Sequence, residues 1–293
     1  MDGAIVIDKP EGWTSHDVVA RTRRITGIKK IGHLGTLDPI ATGVLPLVLG
    51  RATRLAQFYT KSDKIYECLV RFGWSTTTYD RAGEDTSERR AVTVDAAALE
   101  PLLECFRGEI LQTPPAVSAK KVEGKRAYDL ARQSSPVELE PVRLQIYELT
   151  ILSVEGADVR LRAHCSGGTY MRSIAHDLGQ AMGCGAHLAE LRRISSAEFE
   201  IAQSRTLPQI EALAADGRLV DALIPAGSLL PGFASVYVDD VTASQVRHGR
   251  DFQASPFRSQ PASRYVKAMD RQEALVAIGE VVVPNLYHPV VVM

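Results

Sequence analysis

Alternation of apolar and polar side chains in three separate segments constrains the fold of this chain more than any other feature. Residues 64–73, 142–146 and 159–165 carry apolar side chains at every second position, which is typical of strands with one buried face. A short apolar run at 4–7 predicts a fourth strand. Caps or helical spacing predict helices in four further segments, namely 16–26, 93–106, 125–132 and 169–182. Strands and helices follow one another without a regular βαβ rhythm, so the sequence predicts an α+β fold with a mixed, mostly antiparallel sheet.

Helix ends and a domain boundary are predicted from residues with local conformational preferences. Ser15 is the predicted N-cap of the first helix and Gly27 its stop, and Thr93 is the predicted N-cap of the second helix. Beyond a linker-like Leu230-Pro231-Gly232-Phe233, short β-like runs dominate, interrupted by a polar, Pro-containing loop at 254–263. We therefore predict a large domain over 1–230 and a small β-rich domain over 236–293.

The charge of the chain is unevenly distributed. With 34 basic and 35 acidic residues the formal net charge is -1, which by itself argues against a nucleic-acid partner. Residues 20–64, however, hold nine basic and two acidic side chains, a local charge of +7. This window is compatible with phosphate contacts, and charge counting by itself favours a solvated helix face followed by a loop.

Cysteine usage and the N-terminus indicate a cytoplasmic protein. The four cysteines form no C-x-x-C pair and no zinc-type spacing, which favours buried, reduced thiols. The first residues carry acids where a signal peptide needs a basic region, and no run of about 18 apolar residues occurs. A composition of 45% hydrophobic and 24% charged residues excludes a disordered, collagen-like or coiled-coil chain.

The segment Gly32–Gly50 is the most unusual in the chain, because it combines four glycines and two prolines with one His and one Asp. It contains no Gly-Lys-Ser/Thr and lacks dinucleotide glycine spacing, so it is neither type of phosphate loop. Asp38 is therefore either a positioned nucleophile or base, or a turn former before Pro39.

The run Gly-His-x-Gly-Thr-Leu-Asp-Pro at 32–39, continued by Ala-Thr-Gly-Val-Leu-Pro at 41–46, resembles the catalytic motif of the TruB family of pseudouridine synthases. Further segments resemble family motifs in the family's order, over roughly 4–200. They are Asp8-Lys9-Pro10 with Gly12-x-Thr14-Ser15, Lys64-Ile65-Tyr66, Thr113-Pro114-Pro115 continuing to Arg132, Cys165-Ser166-x-Gly168-Thr169-Tyr170-x-Arg172-Ser173, and Gly185-Ala186-His187-Leu188 with Leu191-Arg192-Arg193. Such ordered agreement is more specific than any single motif.

The resemblance implies isomerisation of uridine 55 in the T loop of tRNA, without a metal or organic cofactor. It places the catalytic nucleophile at Asp38, with attack at uracil C6 or ribose C1′ both open. Arg172 falls on the arginine that pairs with this aspartate, and Tyr66 on the tyrosine that stacks against the target base and assists proton removal at C5. By residue type alone, Arg172 is equally a solvated helix residue and Tyr66 a core side chain.

Other residues are implied as substrate contacts. His33 resembles the histidine that holds RNA with its target base flipped out, and is otherwise a loop hydrogen-bonder. Leu191 resembles a residue lining the base pocket, and core packing explains it equally well. Arg54 is a candidate phosphate contact, and Tyr170 matches a position near the arginine without an assigned chemistry.

Four basic residues complete the predicted contacts: Lys9 of the N-terminal motif, and Arg21, Arg24 and Lys29 of the basic window. The segment 236–293 resembles a PUA-type RNA-binding domain, which implies contact near the acceptor end of tRNA. A purely structural β-cap is the alternative interpretation of this segment.

The sequence thus predicts a bacterial-type, monomeric tRNA pseudouridine synthase that acts without guide RNA or a membrane. A guide-RNA-dependent synthase subunit is a competing interpretation, which the short terminal segments disfavour. A tRNA-folding chaperone that binds and releases RNA without catalysis is another, which the presence of Asp38, Tyr66 and Arg172 disfavours.

Overall fold

The computed structural model describes residues 1–115, 140–254 and 263–293, together with the backbone of 121–122 and 125–126. Most strands before residue 230 join one large sheet. In chain order these strands are β1 (Gly3–Lys9), β2 (Ile31–His33), β3 (Ala41–Leu49), β4 (Lys64–Phe72), β5 (Gly108–Gln112), β6 (Lys121–Val122), β7 (Lys125–Arg126), β8 (Val142–Glu155), β9 (Asp158–Cys165), β10 (Ala186–Ser196), β11 (Phe199–Glu200) and β12 (Ile224–Pro225). β6 and β7 pair separately with each other.

The large sheet has the order β12-β1-β3-β10-β4-β9-β8-β5, with β2 beside β3 and β11 beside β10. β10 runs parallel to β3, whereas the other recorded pairings in this sheet are antiparallel. This confirms the predicted mixed, mostly antiparallel α+β fold. The parallel pair matters for the site, because it sets Ala41–Gly43 against Leu191–Arg193.

Within the described ranges, four α-helices accompany the large sheet. They are α1 (Ser15–Thr26), α2 (Ala96–Glu104), α3 (Met171–Ala181) and α4 (Leu207–Ala215). α1 ends where Gly27 adopts φ 70° and its N–H caps the Arg23 carbonyl, as predicted. Buried side chains of α1, α3 and α4 share a core with one face of the sheet, which includes Tyr66 and Leu191.

The chain beyond residue 233 forms a second, five-stranded sheet. Its strands are β13 (Ala234–Tyr237), β14 (Phe252–Gln253), β15 (Tyr265–Met269), β16 (Leu275–Val283) and β17 (Leu286–Val292), in the order β13-β15-β16-β17-β14, with helix α5 (Asp240–Arg247). The C-terminal part is therefore small and β-rich, as expected.

The second sheet shares apolar packing with the first. Val6 and Val44 of the large sheet lie in one core cluster with Ile278 and Val291 of the second. The buried Lys267 ammonium donates to the Gly227 and Leu229 carbonyls, at 3.0 and 3.1 Å. The division into domains at 1–230 and 236–293 stays a prediction. The contacts above show that the two parts also pack against each other.

Three sequence expectations about local structure were wrong. Thr14, not Ser15, caps α1 by accepting from the Asp17 N–H, and Asp95, not Thr93, caps α2. Lys125–Arg126 is a strand rather than the start of a helix. The rest of that predicted helix, most of the motif leading to Arg132 and the interior of the 254–263 loop lie outside the described residues.

Gly43 and Gly27 provide a test of the β3–β10 contact. Both have positive φ, 97° and 70°, but a Cβ at Gly43 would lie 2.3 Å from the backbone oxygen of Arg193, whereas one at Gly27 would meet nothing within 4 Å. We expect Gly27→Ala to lower the free energy of unfolding by about 1–2 kcal/mol through backbone strain. Gly43→Ala should cost clearly more, because β10 must also move. Urea denaturation measures both, and equal losses would contradict the close approach.

Candidate active site

A cavity of about 400 Å³ opens beside the Gly32–Gly50 segment. Five of the predicted site residues line it: Asp38, Tyr66, Tyr170, Arg172 and Leu191. They come from the loop before β3, from β4, from the start of α3 and from β10. The described fold thus brings together residues that are far apart in the chain.

Asp38 and Arg172 form an ion pair at this cavity. The Arg172 Nε lies 2.9 Å from Asp38 Oδ2, and the Arg172 and Asp38 side chains are 4% and 38% exposed, respectively. Arg172 is the second residue of α3, where the helix begins after Tyr170. A buried guanidinium beside a partly exposed carboxylate fixes the orientation of the acid and leaves it accessible from the cavity.

A second carboxylate, which sequence reasoning missed, faces the same arginine. Asp80 is buried and its Oδ2 lies 3.8 Å from Arg172 Nε, while the Thr78 carbonyl accepts from Arg172 Nη1 at 3.2 Å. Arg172 is therefore also held by the loop that carries Thr78 and Asp80. Residues 74–90 have neither apolar periodicity nor a recognised motif, so nothing in the sequence pointed to Asp80.

The loop that carries Asp38 is fixed by the N-terminal motif. Ser15 Oγ accepts from the Leu37 N–H at 2.9 Å and lies 3.2 Å from the Leu37 carbonyl. The Pro39 carbonyl accepts from the Gly12 N–H at 2.8 Å. Leu37 and Pro39 flank Asp38, so these bonds set the position of its backbone. The need for Ser15 at the loop explains why Thr14 caps the helix instead.

Lys9 belongs to the same support. It is completely buried, and its Nζ donates to the carbonyls of Pro10, Trp13 and Pro39 at 2.9, 2.6 and 3.4 Å. Burial lowers the pKa of Lys9 to about 8, against the opposing attraction of Asp38. The structure gives Lys9 a supporting place beneath the Asp38 loop, and direct contact with a substrate stays a prediction.

Arg193 supports the loop from the other side and was also missed as a functional residue. Its side chain is 1% exposed and donates to the carbonyls of Val44, Gly35 and Thr36, at 2.7, 3.1 and 3.4 Å. Carbonyl dipoles surround this buried charge, which otherwise would be costly to desolvate. The alternation of β10 could have revealed it, because Arg193 shares a face with Leu191.

Tyr66 and Lys64 extend from β4 into the cavity wall. Burial raises the pKa of Tyr66, so its side chain is a neutral phenol at neutral pH. Burial, reinforced by the nearby positive charge of Arg193, lowers the pKa of Lys64 to about 8. The cavity therefore joins a carboxylate, a proton-carrying phenol and cationic groups.

The remaining predicted contacts lie outside this cavity. His33 is half-buried in β2, with its ring edge-on to His16 at 5.6 Å between centroids. Arg54 is exposed and donates to the Val292 carbonyl at 2.7 Å, which ties the helical segment Gly50–Tyr59 after β3 to the second sheet.

The predicted basic contacts flank a second, larger cavity of about 940 Å³, lined by Lys9, Arg21 and Arg24 among others. Arg21 is ion-paired to Glu211 at 2.7 Å, whereas Lys29 is exposed. Neither Asp38 nor Arg172 lines this cavity, and the Arg21–Glu211 pair in its wall links α1 to α4. The smaller cavity is the candidate active site.

The described ranges contain neither a cluster of metal-binding side chains nor a membrane-spanning helix. No group of three or more His, Cys, Asp and Glu side chains there is placed to hold a metal ion. No described helix combines the length and apolar character needed to cross a membrane.

Family models match most of the chain. The N-terminal domain model of the TruB family pseudouridylate synthases matches residues 23–171, and a tRNA pseudouridylate synthase B C-terminal domain model matches 172–230. The tRNA pseudouridine synthase B of Solibacter usitatus is 73% identical over 293 residues, covering all of both chains. That of Stutzerimonas stutzeri is 42% identical over 286 residues, covering 96% of this chain and 92% of its own.

Solved structures give the same fold. A chain in a Cbf5-Nop10-Gar1 complex superposes with a TM-score of 0.73 at 29% identity, covering 97% of this chain and 79% of its own. A chain of an H/ACA RNP bound to a substrate RNA containing 2′-deoxyuridine reaches 0.74 at 27% identity, covering 99% and 84%.

The buried Lys64 predicts a pH-dependent stability. Between about pH 8 and 10 the folded state loses the Lys64 proton while the unfolded state keeps it, so this group makes the folded state more stable as the pH rises. Lys64→Met should remove that rise, changing the stability difference from wild type by at most about 3 kcal/mol across the window.

Urea denaturation of both proteins from pH 7 to 10 measures the effect. The exposed neighbour Lys61→Met is the control and should retain the wild-type pH slope. Parallel pH profiles for wild type and Lys64→Met would contradict the buried, depressed lysine.

Proposed function

This chain belongs to the TruB family of pseudouridylate synthases, isomerases that act on tRNA uridine, and we propose that its target is uridine 55 in the T loop. The observation that carries the proposal is the Asp38–Arg172 ion pair, which lies at a cavity that Tyr66 and Leu191 also line. We further propose that Asp38 is the nucleophile.

The reaction needs a reversible nucleophile and no oxidant. The N1–C1′ glycosidic bond breaks, a C5–C1′ bond forms, the C5 proton leaves and N1 gains a proton, so the product is an isomer of the substrate. The Asp38 carboxylate adds to the nucleoside and later departs, at uracil C6 or ribose C1′. Arg172, whose Nε lies 2.9 Å from Asp38 Oδ2, orients that carboxylate.

Tyr66 is proposed to receive the uracil ring and to take part in removing the C5 proton. Its aromatic face suits a planar base. Because burial raises its pKa, the phenol enters the reaction protonated and can relay a proton rather than hold a negative charge. Leu191 completes an apolar wall of the cavity.

The target base must leave its stack to reach Asp38, at a cost of a few kcal/mol. We propose that His33 helps to hold the RNA in this flipped-out form, since it stands on β2 just before the Asp38 loop. Tyr170 lies at the cavity rim, where α3 begins. Lys9, buried beneath the loop, would support Asp38 through Pro39.

The RNA partner is proposed to bind across the basic segment. Arg24 and Lys29 are exposed for phosphate contact, and Arg21 would have to share its charge with Glu211. Arg54 and the C-terminal sheet lie side by side, which supports a tRNA path toward the acceptor end. We propose that the chain acts as a monomer and without a guide RNA, so that purified protein and tRNA suffice.

The Asp38 role is tested with T-loop RNA carrying tritium at uridine C5, which is released when C5 joins ribose. The purified chain should release label. Asp38→Asn should lower the rate of tritium release more than about a thousandfold, because no other side chain can replace the nucleophile. RNA binding, measured by filter retention, should persist. Asp221→Asn, an exposed carboxylate paired with Arg218, is the control and should behave as wild type.

Absence of release by the wild-type chain on unmodified tRNA would reject the proposed activity. Full activity of Asp38→Asn would reject the nucleophile while leaving the activity in place.

The basic segment is tested by salt dependence. Replacing Arg21, Arg24 and Lys29 together by Ala should weaken tRNA binding and reduce the slope of log K against log salt by about one unit for each phosphate that these side chains neutralise. The control removes the same charge from β4 and β9, by replacing Arg71, Arg160 and Arg162 with Ala. Equal slopes for the two triple variants would contradict a local binding patch.

A further inference from the structure

A tyrosine and a histidine outside the cavity stack on each other next to Arg172. The Tyr79 and His176 rings are parallel within 15°, with centroids 3.9 Å apart. Tyr79 has φ 62°, a left-handed conformation that is uncommon for a bulky residue. Such backbone outliers concentrate at functional sites, where the surrounding structure enforces them.

The two neighbours of Tyr79 both contact Arg172. The Thr78 carbonyl accepts from Arg172 Nη1, and the Asp80 carboxylate lies 3.8 Å from Arg172 Nε. His176, the other residue of the stack, follows Arg172 by four residues in α3. The side chains of Arg172 and His176 therefore lie on one face of the helix. The stack therefore joins the loop that holds Arg172 to the helix that carries it.

The loop around Tyr79 is otherwise anchored on β10. The Tyr79 carbonyl accepts from the Leu188 N–H at 2.9 Å, and the Leu188 carbonyl accepts from the Arg81 N–H at 3.0 Å. Asp80 Oδ1 accepts from Thr78 Oγ1 at 2.6 Å and from the Ala82 N–H at 3.0 Å, which fixes the turn. Backbone bonds hold the loop to the sheet, and the Tyr79 ring holds it to α3.

We propose that Tyr79 and His176 are positioning residues for the isomerisation. Their stack keeps Thr78 and Asp80 against Arg172, so that the guanidinium presents its Nε to Asp38. Burial lowers the pKa of His176, and the neutral ring stacks on Tyr79 without adding a positive charge one turn from Arg172. The inference rests on the proposed function, since it assigns these residues to the same reaction.

The kinetic test distinguishes the effect of losing the Tyr79 ring from the effect of changing the backbone conformation at residue 79. Tyr79→Ala and Tyr79→Gly both remove the ring, but glycine accepts the positive φ; Tyr79→Phe and His176→Phe keep the stack. We expect kcat to fall about tenfold in Tyr79→Ala, Tyr79→Gly and His176→Ala, with RNA affinity within about twofold of wild type. Both Phe variants should retain wild-type kcat, and Tyr79→Ala/His176→Ala should lose no more than either single variant.

Several outcomes would overturn the proposal. They are wild-type kcat in Tyr79→Ala, recovery of kcat in Tyr79→Gly, a loss confined to RNA affinity, or a loss in Tyr79→Phe equal to that in Tyr79→Ala. Val94→Ala, which truncates a buried core side chain elsewhere, controls for reduced stability and should keep wild-type kcat.

A measurement without RNA keeps the inference testable if the wild-type chain proves inactive. Solvent exchange of the Arg172 Nε–H, followed by NMR and assigned with Arg172→Lys, should be faster in Tyr79→Ala than in wild type and Tyr79→Phe. Wild-type exchange in Tyr79→Ala would reject the stack as the support of Arg172. Absence of tritium release by wild type would instead reject the proposed activity.

Discussion

Buried positive charge satisfied by backbone carbonyls is the constraint on which the candidate site depends. Arg193 and Lys9 hold the loop around Asp38 from two sides, because they donate hydrogen bonds to the carbonyls of Gly35, Thr36 and Pro39. A buried cation without partners is costly, so each carbonyl must stay in place to compensate it. These bonds hold the glycine-rich loop on both sides of Asp38, which lies between the bonded carbonyls of Thr36 and Pro39.

The sheet topology explains why residues so far apart in the chain meet. Pairing of β10 with both β3 and β4 places Leu191 opposite Ala41 and Cys68, and Arg193 opposite Gly43 and Tyr66. The helix α3 packs on the same face and delivers Arg172 to Asp38. Strands and the start of α3 thus position Tyr66, Leu191 and Arg172, whereas the Asp38 loop is held by side chains.

Segments with a periodic pattern of apolar residues were predicted well from the sequence, whereas features without such a pattern were not. Alternation located β4, β8 and β9, because burial of one sheet face leaves a two-residue period. The caps were misplaced by one or two residues because Thr14 and Asp95 compete with equally suitable neighbours, and a tertiary contact of Ser15 with Leu37 decided the first case.

Site residues were predicted through a family resemblance and not through spacing. Nothing in the sequence alone joins Asp38 to Arg172, because their contact depends on tertiary structure. Asp80 and Tyr79 lie in a segment without apolar periodicity, and the helical spacing at 169–182 does not mark His176 as a stacking partner. Their contribution is visible only once the loop is folded over α3.

The Asp38–Arg172 pair also has a consequence for how the protein acquires activity during synthesis. The two partners are separated in the chain by five strands of the large sheet, namely β3, β4, β5, β8 and β9, and β10, which completes the cavity, follows both. Contacts between such distant segments form late and slowly, because the intervening chain must first lose its conformational freedom. A chain released before β10 would contain the Asp38 loop and still lack part of the wall of the candidate active site.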